Sequence, residues 1–338
     1  MSSMWPHLRR IASIGWCCHI DRTPKQVMNF DVVFLGTGAA VPVPSRGTTS
    51  QFLDIHGHTY LIDAGEGVQL ALRKNKCKFQ KLRGVFISHM HGDHVLGLPG
   101  LLSTMSLLGR KEPLTIYGPA DLKEWMEQTW RAIQAHLSFE LTWLSWDPKA
   151  PQELWVEERY RLVSFPVKHR IPTCGLKVEE KSLPWGLDGV KAGVAKLPYH
   201  VRQALKRGEE VKWESEVLHP DDWCTPPRKA RSYVFSSDTR PCQSLQEMAA
   251  GADVLYHDST FANCDEERAK TTYHSTAKQA ARLAHQAGVG HLVLGHISTR
   301  YKDVGLLVEE AKAFHPKVTV AEDDMRMTIG GGGLDNQV

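Results

Sequence analysis

The chain is organised around one segment, Ser88-His89-Met90-His91-Gly92-Asp93-His94. Three imidazoles and one carboxylate lie within six residues, directly after the apolar run Gly84–Ile87, which is typical of a buried strand ending at a loop. Successive side chains of a strand point to opposite faces, so four polar groups can meet at one point only in the loop that follows. The segment therefore predicts a functional site at the end of a strand.

The ligand types in this segment indicate a metal. His89 and His91, two residues apart, can bind one ion from the same side, whereas Asp93 and His94 can reach a second ion. Imidazole nitrogen and carboxylate oxygen suit zinc, and the segment has no thiolate that would close a purely structural site. Such a pattern is improbable by chance even in a chain with 17 histidines. We therefore predict a catalytic metal site with an open position for water.

Length and composition place the chain among globular proteins. Its 338 residues, 42% of them hydrophobic, suffice for one large domain or two small ones. A net charge of +3 is only mildly basic, and it neither requires nor excludes nucleic acid as a partner. No apolar run approaches the length of a membrane span, so no membrane association is expected.

The cysteines indicate a reducing compartment. They are odd in number, scattered and without a C-x-x-C motif, at Cys17, Cys18, Cys77, Cys174, Cys224, Cys242 and Cys264. This usage favours reduced thiols over disulfides or a thiolate zinc site, and it predicts a cytoplasmic location.

Residues 1–27 form a basic extension. Arg9-Arg10 precede a short apolar run, as in a minimal signal peptide, yet no A-x-A cleavage site follows. The extension is a processed segment, an organellar transit peptide, or sequence upstream of a natural start at Met28. We expect it to be dispensable for a fold that spans 28–330, followed by a flexible glycine-rich tail at 331–338.

Alternating strands and helices predict an α/β fold. Strands are predicted at 30–35, 50–55, 58–62, 84–87, 114–117, 139–144, 160–167, 232–236, 254–257 and 291–294, and near Val318 and Met327. Helices are predicted at 68–74, 95–108, 121–136, 243–250 and 304–314, and from the Thr276 cap to about Gln286.

The segment 183–227 interrupts this alternation. It loses apolar periodicity, apart from a short helical piece near 201–206, and gains proline, glycine, tryptophan and charge. It is either a solvated excursion or a basic arm that contacts RNA. The candidate RNA contacts are Lys191, Lys196, Arg202, Lys206, Arg207 and Lys212.

Polar residues recur where apolar strands end. His89, His169, Asp238, Asp258 and His296 all occupy such positions. Strand ends at one edge of a packed two-sheet protein converge on a shared cleft, so these residues are candidates for one site.

With these residues in place, the chain resembles the metallo-β-lactamase superfamily and, within it, the ribonuclease Z family. The resemblance spans 30–329. The matching segments, in the family's order, are FLGTGAAVPVPSRGTTS, LIDAGEGVQ, ISHMHGDHVLGLPGLLSTMSLLGR, EPLTIYGP, VKHRIPTCG, SSDTRP, HSTAKQAA and GHISTRY. The resemblance implies an αββα sandwich, a homodimer and two Zn²⁺ ions per chain, with Mn²⁺ or Fe²⁺ as alternatives.

The resemblance also implies a role for each site residue. Asp93 would accept the proton of the attacking water, and His274, oriented by Asp258, would protonate the leaving oxygen. The implied ligands are His89, His91 and His169 for the first ion, Asp93, His94 and His296 for the second, and Asp238 as the bridge.

The function implied is removal of the 3′ trailer from precursor tRNA by a metal-dependent endoribonuclease. Two alternatives remain, a zinc phosphodiesterase or hydrolase of small molecules, and a non-catalytic RNA-binding protein. The chain departs from its relatives at Asp258, where many have Glu, and at Ser237, where they have Gly. The arm lacks the family's Gly-Pro signature and has KAGVAKLP at 191–198 instead.

Overall fold

Two seven-stranded sheets dominate the computed structural model, which describes residues 28–330. The predicted extension 1–27 and tail 331–338 lie outside the described residues. The first sheet contains β1 (Phe30–Gly36), β2 (Ser50–Ile55), β3 (His58–Ile62), β4 (Leu82–Phe86), β5 (Leu114–Gly118), β6 (Leu141–Ser145) and β18 (Arg326–Thr328). The second contains β7 (Gln152–Val156), β8 (Tyr160–Pro166), β9 (Cys174–Glu180), β14 (Ser232–Phe235), β15 (Val254–Asp258), β16 (His291–Gly295) and β17 (Val318–Val320).

Helices cover the outer face of each sheet. Those beside the first sheet are α1 (Val68–Lys74), α2 (Gly92–Val95), α3 (Leu98–Leu107) and α4 (Leu122–Ile133). Those beside the second are α8 (Gln243–Met248), α9 (Glu266–Thr272), α10 (Ala277–Gln286) and α11 (Gly305–Lys312). Short 3₁₀ turns lie at Phe79–Lys81 and Asn263–Asp265.

Three apolar layers hold these elements together, and they confirm the predicted αββα sandwich. The central layer joins the sheets, where Tyr256 stacks between Phe34 and Phe235 with ring centroids 5.6 and 5.5 Å away. One outer layer packs α1, α3 and α4 on the first sheet, and the other packs α8, α10 and α11 on the second. Burial of this apolar area is the main force that stabilises the sandwich.

The strand order brings functional ends to one edge. It is β18-β1-β2-β3-β4-β5-β6 in one sheet and β17-β16-β15-β14-β9-β8-β7 in the other. Strands β3 to β6 run parallel, as do β14 to β17. The carboxyl ends of parallel strands meet at the same edge of a sheet, which is where α/β proteins place their ligands.

The predicted helix 95–108 corresponds to the end of α2 and the whole of α3, and the two helices are separated at Gly97. The Gly97 N–H donates to the Ala64 carbonyl at 2.8 Å, and a Cβ on Gly97 would lie 2.0 Å from the Gly65 carbonyl oxygen. This close approach anchors α2, which contains Asp93 and His94, against the loop that follows β3. Only glycine permits it.

Segment 183–227 is a folded unit with its own core, not an irregular excursion around one short helix. It contains β10 (Gly186–Leu187), α5 (Gly189–Val194), α6 (Tyr199–Lys206), β11 (Val211–Trp213), β12 (Glu216–Leu218), α7 (Pro220–Trp223) and β13 (Cys224–Thr225). Its core is formed by Ala192, Leu197, Val201, Leu205 and Leu218. We call this unit the arm.

Three further elements of the body were not predicted. Strand β9 has only Leu176 and Val178 as large apolar residues, and its last residue, Glu180, is buried because Arg228 and Arg231 bind its carboxylate. Strand β7 is an edge strand, and α9 buries only Ala269, so neither shows a clear apolar pattern.

Two predictions from the sequence concern the cysteines and membrane-spanning segments. The cysteines of the described part, which are Cys77, Cys174, Cys224, Cys242 and Cys264, are free thiols. Within 28–330, every helix is too short or too polar to cross a lipid bilayer.

Candidate metal centre

The predicted ligands lie together at one edge of the sandwich. His89 follows β4 in the first sheet, and His169, Asp238 and His296 follow β8, β14 and β16 in the second. Helix α2 contains Asp93 and His94, and His91 directly precedes it. Three groups of potential ligand atoms occur among the described residues, and within each group all the atoms lie within 4.8 Å of one another. The first two groups match the predicted ligand sets, and the third consists of Asp238, Asp258, His274 and His296.

The first group contains three imidazoles. His91 Nδ1 lies 3.0 Å from His89 Nε2 and 3.2 Å from His169 Nε2. One carboxylate oxygen of Asp238, Oδ2, lies 3.7 Å from His89 Nε2 and 4.0 Å from His169 Nε2. Three nitrogens and one oxygen therefore surround a single point.

The second group shares Asp238 through its other oxygen. Asp238 Oδ1 lies 3.3 Å from His94 Nε2 and 3.2 Å from His296 Nε2. Asp93 Oδ2 lies 3.6 Å from His94 Nε2 and 3.3 Å from His296 Nε2. Asp238 thus offers one oxygen to each group, as a bridging carboxylate does.

These separations fit two metal ions. A tetrahedral site with bonds of about 2.0–2.1 Å has ligand–ligand edges of about 3.3–3.4 Å, close to the separations in both groups. His94 Nε2, which points into the second group, is buried and has no hydrogen-bond partner among the described residues. A nitrogen lone pair buried in this way is typical of a metal ligand.

The protonation states of the first group also suit a cation. Burial lowers the pKa of His89 well below its ordinary value, and it lowers the pKa of His91 and of His169. Burial raises the pKa of Asp238, but His296 and His94 outweigh it and hold that pKa well below the ordinary value. Neutral imidazoles and an ionised carboxylate are the forms that bind metal.

Outer hydrogen bonds fix the orientation of most of the imidazoles. In four of them Nδ1 faces an oxygen and Nε2 faces the centre. The pairs are His94 with Asp63 at 2.7 Å, His89 with Ser88 Oγ at 3.0 Å, His169 with the Tyr273 carbonyl at 3.0 Å and His296 with Thr260 Oγ1 at 2.9 Å. Such partners select the tautomer whose Nε2 is free to bind a metal.

Asp63 and Thr260 are the site residues that the sequence analysis missed. Asp63 is fully buried at the end of β3, where it accepts hydrogen bonds from the Ser88 N–H and hydroxyl at 2.7 and 2.8 Å. Burial raises the pKa of Asp63, and His94 opposes this shift. The available signal was its position at a strand end, which the other acidic residues of the site share.

His274 and Asp258 form a pair beside the two groups. Asp258 Oδ2 lies 2.7 Å from His274 Nδ1, so the aspartate reaches the histidine directly. The same oxygen accepts from the Thr239 N–H at 2.9 Å, which fixes the carboxylate. Burial lowers the pKa of His274, but Asp258 outweighs it and raises that pKa to about 9. The imidazole is therefore protonated at neutral pH.

A cavity of about 480 Å³ opens over both groups and over His274. Arg170, Arg268 and Arg300 line it together with Phe261. We call it the main cleft. Three guanidinium groups around a metal-binding floor suit a polyanionic substrate.

The six basic residues predicted as RNA contacts lie on the arm, and none of them lines the main cleft. Three have intramolecular partners. Lys191 Nζ lies 4.5 Å from the Trp223 ring, the Arg202 guanidinium donates to the Leu197 and Ala192 carbonyls, and Arg207 pairs with Glu209. The side chains of the other three, which are Lys196, Lys206 and Lys212, make no hydrogen bond or ion pair within 28–330.

Known proteins resemble this chain over most of its length. A ribonuclease Z from Parabacteroides distasonis is 39% identical over 303 residues, which are 89% of this chain and 99% of that protein. Residues 30–169 match the family profile described as Anti-Pycsar protein Apyc1.

Solved structures resemble the fold. Human tRNase Z, short form, superposes with a TM-score of 0.63 at 28% identity, covering 88% of this chain and 98% of the human one. The metallo-β-lactamase-fold protein YhfI from Bacillus subtilis gives a TM-score of 0.63 at 18% identity, covering 89% of this chain and 99% of that one.

We predict that Asp63→Asn weakens metal binding by about 10- to 100-fold, because the variant loses the carboxylate that orients His94. Asparagine tolerates the backbone of this position, whose φ is +57°. The measurement is competition with a fluorescent chelator during titration with a divalent metal. Asp54→Asn, a change of the same type on β2, is the control and should leave affinity unchanged. Equal affinities of Asp63→Asn and the unmodified protein would contradict the orienting role.

Proposed function

The chain belongs to the ribonuclease Z family, and from that premise we propose that it is an endoribonuclease that removes the 3′ trailer from precursor tRNA. The supporting observation is the pair of ligand groups that share Asp238 beside the His274–Asp258 pair. That arrangement combines a site for two cations with a protonated imidazole, as hydrolysis of a phosphodiester requires. The product tRNA would keep a 3′-hydroxyl.

We propose Zn²⁺ as the metal, two ions per chain, with Mn²⁺ or Fe²⁺ as alternatives. The first would be held by His89, His91 and His169, the second by Asp93, His94 and His296, with Asp238 between them. When bound, the ions supply Lewis-acid stabilisation of phosphoryl oxygens and lower the pKa of water. Imidazole and carboxylate ligands without thiolate are typical of catalytic zinc.

Asp93 is the proposed acceptor of the proton from the attacking water. Burial raises its pKa, but His94 and His296 outweigh this and lower it, so the carboxylate is ionised. The Ala40 N–H donates to Asp93 Oδ2 at 2.8 Å and holds that oxygen toward the main cleft. Orientation by a backbone group leaves the acceptor in place without side-chain rearrangement.

His274 is the proposed proton donor to the leaving 3′-oxygen. The charge of Asp258 keeps the imidazole protonated, and the hydrogen bond on Nδ1 leaves Nε2 as the free donor. An alkoxide is a poor leaving group, so protonating it lowers the barrier to cleavage.

The remaining proposals concern assembly and substrate binding. Residues 28–330 would form one ribonuclease Z domain whose arm grips the body of the tRNA through Lys196, Lys206 and Lys212. Exposed leucines on the adjacent helices α1 and α3, Leu70 and Leu107, support a homodimer because exposed apolar patches mark association surfaces. The free cysteines support a cytoplasmic location.

The function is tested with a precursor tRNA that has a 3′ trailer. We expect one cut at the tRNA–trailer junction, loss of cleavage with a chelator, and recovery when Zn²⁺ is restored. A small phosphodiester such as bis(p-nitrophenyl) phosphate is assayed in parallel. Hydrolysis of that diester without cleavage of the RNA would favour a small-molecule phosphodiesterase. RNA binding that persists without any hydrolysis would favour a binding protein.

We predict that His274→Ala lowers kcat on precursor tRNA by about 10²- to 10⁴-fold, because the leaving oxygen loses its proton donor. Metal content, measured by mass spectrometry, should be unchanged, because His274 belongs to neither of the two predicted ligand sets. His136→Ala, which removes an exposed histidine, is the matched control. Unchanged turnover of His274→Ala would remove the proposed role.

We predict that replacing Lys196, Lys206 and Lys212 together with glutamine raises KM for precursor tRNA by about tenfold or more, because up to three phosphate contacts are lost. Values of kcat, and hydrolysis of the small diester, should not change. The triple arginine variant keeps the charge and should keep KM. Equal losses on RNA and on the small diester would contradict the arm's role.

A further inference from the structure

A second cavity, of about 310 Å³, adjoins the main cleft. His274 lines both cavities, so it forms the boundary between them. The cations of the second cavity are Lys168, Arg240 and Lys270, and its anions are Glu266 and Glu267. We call this cavity the side pocket.

Lys168 and Arg240 lie side by side in the side pocket. They are partners in an isolated antiparallel bridge, in which the Arg240 N–H donates to the Lys168 carbonyl at 3.0 Å. Residues directly opposite each other in such a bridge project their side chains to the same side, and like charges there are destabilising. Within 28–330 neither side chain makes an ion pair that would relieve this repulsion.

The Arg240 guanidinium is held ready for a ligand. Its central carbon lies 3.8 Å from the centre of the Tyr273 ring, so the ring fixes the plane of the guanidinium. Its Nε is buried and has no hydrogen-bond partner among the described residues. A planar, oriented guanidinium next to an exposed lysine is a receptor for a phosphate.

The acidic residues of the side pocket do not neutralise these cations. Glu266 and Glu267 lie on α9, and Glu266 Oε1 accepts a hydrogen bond from Gln279 Nε2 at 3.0 Å. No ion pair within 28–330 joins either glutamate to Lys168, Arg240 or Lys270. The cations are therefore available to an anionic ligand.

The position of His274 indicates which part of the substrate binds in the side pocket. The inference rests on the proposed function, in which His274 protonates the 3′-oxygen that leaves with the tRNA. That oxygen belongs to the last nucleotide of the tRNA. The 3′ end of the tRNA strand therefore lies at His274, and the strand leads away from it in the 5′ direction. The main cleft holds the scissile phosphate over the ligand groups, and the side pocket lies beyond His274.

We propose that Lys168 and Arg240 bind the phosphate immediately 5′ of the scissile one. The tRNA strand then passes His274 into the side pocket, and the trailer lies over the main cleft, along the side of Arg170 and Arg300. This assigns a direction to the RNA in the site. It also assigns a positioning role to two cations that lie one and two positions from the predicted ligands His169 and Asp238 in the sequence.

The test neutralises one phosphate of the RNA at a time. Precursor tRNAs carry a single methylphosphonate, either immediately 5′ or immediately 3′ of the scissile phosphate. The unmodified protein should lose about 10- to 100-fold in kcat/KM with the 5′ methylphosphonate, the range for a lost charge-assisted contact. Arg240→Gln and Lys168→Gln combined should show a similar loss on normal RNA and no further loss with the 5′ methylphosphonate, and each single variant should lose part of that sensitivity. Both should respond to the 3′ methylphosphonate as the unmodified protein does.

The control variant is Lys111→Gln, which removes an exposed lysine that lines neither cavity. It should keep the full sensitivity to the 5′ methylphosphonate. If Arg240→Gln fails to fold, Lys168→Gln decides, because Lys168 is exposed. The inference is overturned if the variants are as sensitive to the 5′ methylphosphonate as the unmodified protein is, or if they lose sensitivity to the 3′ one instead.

A binding measurement gives a readout that does not depend on catalysis. Affinity for tRNA that ends at the cut is measured over a range of salt concentrations. The slope of log K against log [salt] should fall by about one for Lys168→Gln, because one phosphate contact is lost. An unchanged slope counts against the side pocket. Failure of the unmodified protein to cleave any precursor tRNA would instead refute the proposed function.

Discussion

One carboxylate, that of Asp238, connects the two ligand groups, and the geometry of the site depends on this contact. Asp238 follows a strand of the second sheet, whereas His89 and His94 belong to the first, so the two sheets must meet at this edge with little freedom to slide. A buried carboxylate and buried imidazoles cost free energy unless each finds a partner. Positive charge between the donors satisfies them together, which couples metal binding to the relative position of the sheets.

Residues with positive φ form the sharp turns at the edge where the two sheets meet. Asp63, Ser237 and His296 all follow strands, and all have positive φ, at +57°, +55° and +57°. Such a conformation costs roughly 1–2 kcal/mol for a residue with a side chain. Glycine, which the family resemblance implies at the position of Ser237, would avoid this cost. The requirement is conformational as well as one of size, and this chain accepts the strain at a functional position.

The sequence was sufficient for those parts of the fold and site that depend on local pattern. Apolar runs located most strands, and polar residues at their ends, such as His169 and Asp238, are the predicted ligands that the structure brings together. It was insufficient where tertiary contacts determine which side chains lie together. Asp63 and Thr260 act through other side chains, and the pairing of Lys168 with Arg240 joins residues 72 positions apart in sequence. The sequence does not predict the full secondary structure of the arm, because the apolar core of the arm is small. It does not predict α9, because that helix buries a single alanine.

The Thr260 hydroxyl links the second ligand group to the His274–Asp258 pair. Its oxygen lies 2.6 Å from Asp258 Oδ1 and 2.9 Å from His296 Nδ1. A hydroxyl has one proton to donate, and the carboxylate can only accept it, so Thr260 donates to Asp258 and must accept from His296. The proton on His296 is thereby fixed at Nδ1, and its Nε2 lone pair faces the second ligand group. Asp258 holds the proton of His274 through its other oxygen. One carboxylate thus determines the tautomer of His296 and stabilises the protonated form of His274, so the proposed metal site and the proposed proton donor depend on a single hydrogen-bonded chain.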